Sequence, residues 1–248
     1  MRIAGWGTSC WVVDMTVEFE RTVRGHRRGV TLLLRPPGVY RAQDDTTLLI
    51  DEMHRGGYAC GRSVLDVGTG SGALAVAAAR AGAATVDAVD VSLRSVFAAR
   101  ANAVLHRAPV RVHRGDLFAP VAGRRFDLVL SNPPYVPSRS GLLPRHRMAR
   151  CWDGGPDGRA LLDRICDAAP EVLAPGGVLL VVQSELSGED ATLERLAAVG
   201  LHAEVADRVR IPFGPVLRRR LPLLRAQGLV ASGQTDEGLV VVMARAST

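Results

Sequence analysis

Val64-Leu-Asp-Val-Gly-Thr-Gly-Ser-Gly-Ala73 is the stretch that decides the fold. A short apolar run carries an acid, enters a glycine turn, and passes into an alanine-rich segment. The run reads as a buried parallel strand and the segment as a helix. Gly68, Gly70 and Gly72 let the backbone approach a ligand that side chains would exclude. The helix start offers free N–H groups and the positive end of the helix dipole to a polar or anionic group. The G-x-G-x-G spacing differs from the G-x-G-x-x-G of dinucleotide-binding dehydrogenases, which argues against hydride transfer.

Outward from this turn, apolar runs alternate with helical stretches. The runs are Val64–Val67, Val86–Val89, Val110–Val112, Phe126–Leu130, Val178–Val182, Ala203–Val209 and Leu239–Met243. Between them lie Ala73–Ala81, Leu93–Arg107, Arg159–Leu173 and Glu189–Val199, the last with Ser187 and Asp190 suited to its start. The alternation predicts an α/β fold: a doubly wound, seven-stranded, mostly parallel sheet whose last strand inserts antiparallel. Upstream, Val30–Leu34 reads as a short strand. Asp44 or Asp45 is expected to cap a helix bearing Leu48, Leu49 and Met53 on one face, ended by Gly56-Gly57. Residues 1–28 have weak periodicity, and Trp6, Trp11 and Phe19 are expected to pack as an arm.

Composition narrows the class. The 248 residues suffice for one large domain, and 47% hydrophobic content is ordinary for a globular chain. All 31 basic residues are arginine and the net charge is +6. Lysine is absent while Ala, Val and Gly abound, so the basicity reads as compositional bias rather than a nucleic-acid footprint. No apolar stretch reaches the ~18 residues that span a membrane, and no signal peptide is legible, so a cytoplasmic location is expected. Cys10, Cys60, Cys151 and Cys166 show no zinc spacing, and His106 and His113 read as surface residues, so no metal is expected.

Phe126-Asp-Leu-Val-Leu-Ser-Asn-Pro-Pro-Tyr135 is the most specific segment. A buried strand delivers Asn132 to the carboxyl edge of the sheet, and Pro133 and Pro134 forbid further pairing and stiffen the turn. A planar nitrogen is a poor nucleophile because its lone pair is delocalised. If the Asn132 side-chain oxygen and the Pro133 carbonyl accept its N–H protons, the lone pair is localised toward a methyl donor. The remainder is alignment, and Tyr135 can stack on the planar group.

The glycine turn with Asp66 before it resembles motif I of class I S-adenosylmethionine-dependent methyltransferases, which have a Rossmann-like fold. Asn132-Pro-Pro-Tyr135 resembles the N-P-P-Y signature of adenine-N6 DNA methyltransferases, some RNA methyltransferases, and HemK-like protein glutamine N5-methyltransferases. Two segments point to the last of these: Gly38-Val-Tyr-Arg-Ala-Gln-Asp-Asp-Thr-Thr-Leu-Leu49, and Cys151-Trp-Asp-Gly-Gly-Pro-Asp-Gly-Arg-Ala-Leu-Leu-Asp-Arg164. The resemblance covers roughly residues 38–212 and is strongest to the short branch lacking a separate N-terminal helical domain. It departs where Arg41-Ala42-Gln43 replaces a proline-bearing lead-in, and in a longer Phe213–Asp236 insertion, which is expected to form a helix at the substrate entrance.

The resemblance implies S-adenosyl-L-methionine as cofactor, held by Tyr40, Thr46, Asp66, Gly68, Thr69, Gly70, Gly72, Asp90, Val91, Asp116, Leu117 and Asn132. Asp90 would take the ribose hydroxyls and Asp116 the adenine amino group. Asn132, Pro133, Pro134 and Tyr135 would be catalytic, with Trp152 joining Asn132, Pro133 and Tyr135 against the substrate. Residues 1–60 would form the arm and the cofactor-covering helix, and residues 61–248 the methyltransferase domain. The implied substrate is a protein glutamine, as in the Gly-Gly-Gln motif of translation release factors. A small-molecule amide or amine is the alternative, and adenine in DNA or RNA ranks last for want of a recognition domain. Arg139, Arg145, Arg147 and Arg150 could clamp an acidic or phosphate-bearing partner, or form a solvated loop. The short branch also uses a small activator protein covering a sheet edge, although Val110-Arg-Val-His113 announces no large exposed apolar patch.

Overall fold

The computed structural model describes residues 31–138 and 148–248, together with the two-residue strand β1 (Val17–Glu18). The arm with Trp6, Trp11 and Phe19, and the loop residues Arg139, Arg145 and Arg147, lie outside the described residues. β1 pairs antiparallel with β2 (Thr31–Leu32), shorter than the run from Val30 to Leu34 suggests.

The elements then follow as α1 (Asp44–Arg55), β3 (Ser63–Val67), α2 (Ala73–Arg80), β4 (Thr85–Asp90), α3 (Leu93–Leu105), β5 (Val110–Arg114), β6 (Phe126–Ser131), α4 (Leu162–Val172), β7 (Leu173–Ser184), α5 (Glu189–Ala198), β8 (His202–Pro212), α6 (Pro215–Ala226) and β9 (Asp236–Arg245). The seven-stranded sheet has the order β5-β4-β3-β6-β7-β9-β8. β3 to β7 are parallel, and β9 runs antiparallel between β7 and β8. The order reverses between β3 and β6, and the crevice outside the carboxyl ends of those strands is where such sheets bind ligands.

Two apolar layers hold the sheet. Alternate strand residues such as Val64, Val86 and Leu128 pack against Leu48, Leu49 and Met53 of α1 and Leu74 and Ala78 of α2. Their neighbours Leu65, Val89 and Val129 face Leu162, Ile165 and Ala169 of α4 and Leu196 of α5. This period-2 division is what burial of a strand on both faces produces. A smaller cluster of Phe213, Leu217 and Leu224 with Val136 and Leu186 seats α6, the helix expected in the insertion.

Three local expectations are corrected. Gln43, not an aspartate, is the N-cap residue of α1, and Asp45 turns inward instead. α5 begins after Gly188, and the Ser187 hydroxyl donates to the Ser184 carbonyl, so no capping box forms. The patch that β5 does not announce lies on α3, where Leu93, Phe97, Val104 and Leu105 are 61%, 68%, 79% and 46% exposed, beside edge strand β5. His106, moreover, contacts the Leu32 carbonyl at 2.6 Å and so helps to seat the segment before α1.

Candidate active site

Two cavities meet at the carboxyl edge of the sheet. The first, of about 700 Å³, is lined by Gly68, Thr69 and Gly70 of the glycine turn, by Asp90 and Val91 after β4, and by Asp116 and Leu117 after β5. The second, of about 670 Å³, is lined by Asp45, Pro133, Tyr135 and Trp152, by Gly214–Leu217 at the start of α6, and by Glu237. Tyr40, Thr46, Asn132 and Pro134 line both. Asn132 therefore stands at the seam, where β6 has just ended.

The glycine turn is built for close approach. Gly68 has φ +74°, and a β-carbon there would meet nothing within 4 Å, so its face is open to a ligand. Asp90, at the end of β4, accepts from the Gly70 amide at 3.0 Å and the Ser92 amide at 2.8 Å. Burial raises its pKa, while those two N–H bonds pull it back.

Asp66 and Gly72 do not line the first cavity. Asp66 is fully buried beneath the turn, where it accepts from the Thr69 hydroxyl at 2.5 Å and the Ala75 amide at 3.1 Å. It thus supplies the first turn of α2 with the acceptor that its N-cap glycine lacks. Gly72 has φ +86°, and a β-carbon there would stand 3.0 Å from Ala99 Cα on α3, so its role is in helix packing. Asp116 is exposed and paired with Arg164 at 2.6 Å. A solvated pair of this kind is worth under about 1 kcal/mol, so a ligand can displace it.

The tetrad is held by a residue that the sequence reading missed. Asp45 Oδ2 accepts from the Tyr40 hydroxyl at 2.6 Å and the Tyr135 hydroxyl at 2.9 Å. Its Oδ1 accepts from the Thr46 amide at 2.6 Å and the Thr46 hydroxyl at 3.2 Å. Thr46 Oγ1 in turn receives the Asn132 side-chain amide at 3.1 Å. Burial, and then the carboxylate of Asp45, push both tyrosines well above the usual phenol range. Their hydroxyls remain neutral donors, and Tyr135 has only its ring to offer a ligand.

Glu237, also missed, is 4% exposed and accepts from Ser184 at 2.5 Å. Burial raises its pKa to about 7. It lies far along the chain, in the polar lead-in Asp236-Glu237-Gly238 of a strand, where it reads as one more solvated acid. Arg220 of α6 donates to the Pro137 carbonyl at 2.9 Å and pairs with Asp153, tying α6 to the segment that follows the tetrad. Arg150 borders the first cavity.

Comparison with known proteins gives concordant matches. A family model described as the methyltransferase small domain matches residues 32–143. A Methanocaldococcus jannaschii protein, provisionally named a protein N5-glutamine methyltransferase, is 35% identical over 185 residues, 75% of this chain and 91% of the relative. The release factor glutamine methyltransferase of Geobacter sulfurreducens is 40% identical over 152 residues, 58% of this chain and 53% of the relative. The ribosomal protein uL3 glutamine methyltransferase of Bradyrhizobium diazoefficiens is 46% identical over 124 residues, 47% of this chain and 39% of the relative. This chain thus spans about half the length of those two relatives, or less.

Among solved structures, an E. cuniculi two-protein complex responsible for methylation of a translation termination factor aligns with TM-score 0.58 and 23% identity, over 85% of this chain and 99% of that chain. A T. thermophilus 16S rRNA methyltransferase bound to S-adenosylmethionine and guanosine aligns with TM-score 0.59 and 21% identity, over 88% of this chain and 48% of that chain. At these identities the two structures speak for the fold.

Proposed function

The chain belongs to the family of protein N5-glutamine methyltransferases, enzymes dependent on S-adenosylmethionine, and from that membership we propose that it methylates the side-chain amide nitrogen of a glutamine in a protein. The observation that carries the proposal is the position of Asn132 at the seam of two cavities, with its Nδ2 donating to Thr46. Among the described residues its Oδ1 accepts no hydrogen bond.

The first cavity fits the cofactor. Its volume lies in the range of small-molecule sites, the open face of Gly68 admits a ligand against the backbone, and the Asp90 carboxylate can accept two ribose hydroxyls. Tyr40, Thr46, Thr69, Gly70, Val91 and Leu117 would complete the wall, with Asp116 at the adenine end. Asp66 and Gly72 would act from beneath, by shaping the turn. When bound, the cofactor supplies an electrophilic methyl group on a sulfonium.

The acceptor glutamine would enter the second cavity. Asn132 Oδ1 and the Pro133 carbonyl would accept the two N–H protons of its amide and direct the nitrogen lone pair toward the first cavity. Pro134 fixes the turn, and Tyr135 and Trp152 would sandwich the planar group. No strong base is needed, because an alkylated amide nitrogen loses its proton readily to water.

A release factor is the proposed protein substrate, and a small activator protein the proposed partner, with the apolar face of α3 beside β5 as the surface it would cover. The test is transfer of labelled methyl from S-adenosylmethionine to a purified class I termination factor carrying Gly-Gly-Gln. Asn132→Ala is expected to lose transfer by about a hundredfold or more while keeping cofactor affinity. Label found only in small molecules or nucleic acid would overturn the substrate, and a fully active Asn132→Ala would overturn the mechanism.

A further inference from the structure

We infer that Asp45 and Thr46 form a positioning relay that fixes which end of the Asn132 amide faces the substrate. The inference rests on the glutamine-amide reading above and deepens it.

A threonine hydroxyl has one proton to give, and a carboxylate can only accept. Thr46 Oγ1 lies 3.2 Å from Asp45 Oδ1, and the Thr46 amide reaches the same oxygen at 2.6 Å. The Thr46 proton is therefore committed to Asp45, and only lone pairs face Asn132. Across that 3.1 Å contact the amide of Asn132 must present its N–H. A flipped amide would set oxygen against oxygen, with no proton between them. Both Asp45 and Thr46 are 4% exposed, so water is a poor substitute for the missing donor.

The other side of Asp45 is fixed as well. Its Oδ2 holds the hydroxyls of Tyr40 and Tyr135, so the carboxylate cannot rotate without breaking contact with the tetrad itself. One acid in the first turn of α1 thereby sets both the ring of Tyr135 and, through Thr46, the amide of Asn132.

The relay also has an electronic consequence. A chain of hydrogen bonds that ends on a carboxylate polarises each member. Donation from Nδ2 into this chain raises electron density on Oδ1. The substrate N–H grows more acidic as its nitrogen becomes alkylated, so the interaction strengthens toward the transition state rather than on binding. It follows that the site demands an N–H donor, and a carboxylate in place of the amide would meet two acceptor oxygens.

The experiment compares wild type with Thr46→Val, which keeps shape but loses the hydroxyl, with Thr46→Ser, which keeps the hydroxyl, and with Asp45→Asn. Three quantities are read: S-adenosylmethionine affinity by calorimetry, kcat on the termination factor, and proton exchange of the Asn132 side-chain amide by NMR, assigned through its loss in Asn132→Ala. Thr46→Val is expected to lower kcat at saturating S-adenosylmethionine about tenfold to a hundredfold, the range found when partners orienting a metal ligand are removed, beyond whatever cofactor affinity it loses as part of the cavity wall. Thr46→Ser should recover most of the rate. Asp45→Asn should lower kcat without unfolding the protein. The Asn132 amide should exchange slowly in wild type and Thr46→Ser, and fast in Thr46→Val.

Unchanged kcat or unchanged Asn132 exchange in Thr46→Val would overturn the relay, as would loss of rate explained wholly by lost cofactor affinity. A wild type that cannot methylate the termination factor would overturn the glutamine reading instead, and the exchange measurement would still decide the relay.

Discussion

A β-carbon on Gly72 would stand 3.0 Å from Ala99 Cα, and one on Gly68 would meet nothing within 4 Å, although both residues have positive φ. Gly72→Ala therefore carries the left-handed penalty of about 1–2 kcal/mol together with a backbone clash between α2 and α3. A loss of about 2–4 kcal/mol in urea unfolding is expected, of the size seen for strained core substitutions. Gly68→Ala should lose only about 1–2 kcal/mol by the same φ argument, and should instead weaken S-adenosylmethionine binding, read by calorimetry. In the sequence the two glycines are equivalent members of one motif, because nothing in the motif names the helix that crosses behind it. The acids show the same limit. Asp66, Asp90 and Asp116 are alike as strand-end carboxylates. Strand alternation turns Asp66 under the turn, toward the start of α2, and only Asp90 and Asp116 reach the first cavity.

At the scale of elements, the strands and helices flanking the glycine turn were legible because their apolar periodicity is dictated by burial on two faces. β7 and β8 run longer than their apolar cores suggest, since pairing with β9 continues past Val182 and Val209, and the start of β7 pairs with Phe126 of β6. What could not be read was how α6 attaches. Its arginines in the sequence could be a solvated face, and the structure assigns Arg220 alone to a largely buried pair with Asp153, distant in sequence. Arg220→Ala leaves that acid without its cation and takes the donor from the Pro137 carbonyl, while the Val136 carbonyl keeps the Gly154 amide. A loss of about 1–3 kcal/mol is expected for a partly buried, hydrogen-bonded charge. Hydrogen exchange should rise in residues 136–138 and 152–155, and KM for the protein substrate should rise more than kcat falls. Unchanged exchange there would show that α6 is not latched by this contact.

The whole molecule should respond to pH through its buried acids. Glu237 is raised from 4.5, and Asp66 from 3.8, to about 7, in each case first by burial. An acid whose folded pKa lies above its unfolded value holds its proton longer in the folded state. Stability from these two groups therefore falls as pH rises from about 4.5 to about 7, and levels off above that. Asp87, Asp127 and Asp167 are shifted the other way by arginine or serine partners. They withdraw stability only as pH falls below the ordinary carboxylate range. The urea midpoint should thus decline between pH 5 and 8, and Glu237→Gln should flatten that decline. A profile of equal slope in the variant would remove Glu237 from the account. The sheet order itself was readable as a class, because an alternating chain with a late extra strand admits few topologies.

The place of β9 has a consequence for biosynthesis. Until Asp236–Arg245 leaves the ribosome, β8 has no neighbour in the sheet and β7 keeps an open edge, because β9 alone joins them. The glycine turn and the tetrad can be assembled on strands made much earlier, whereas Glu237 arrives with the final strand. The nascent polypeptide therefore carries an unpaired hydrophobic edge on β7 from its emergence until that of β9, an interval in which chaperone capture and misassociation compete with closure. Completion of the acceptor cavity thus waits on the emergence of β9.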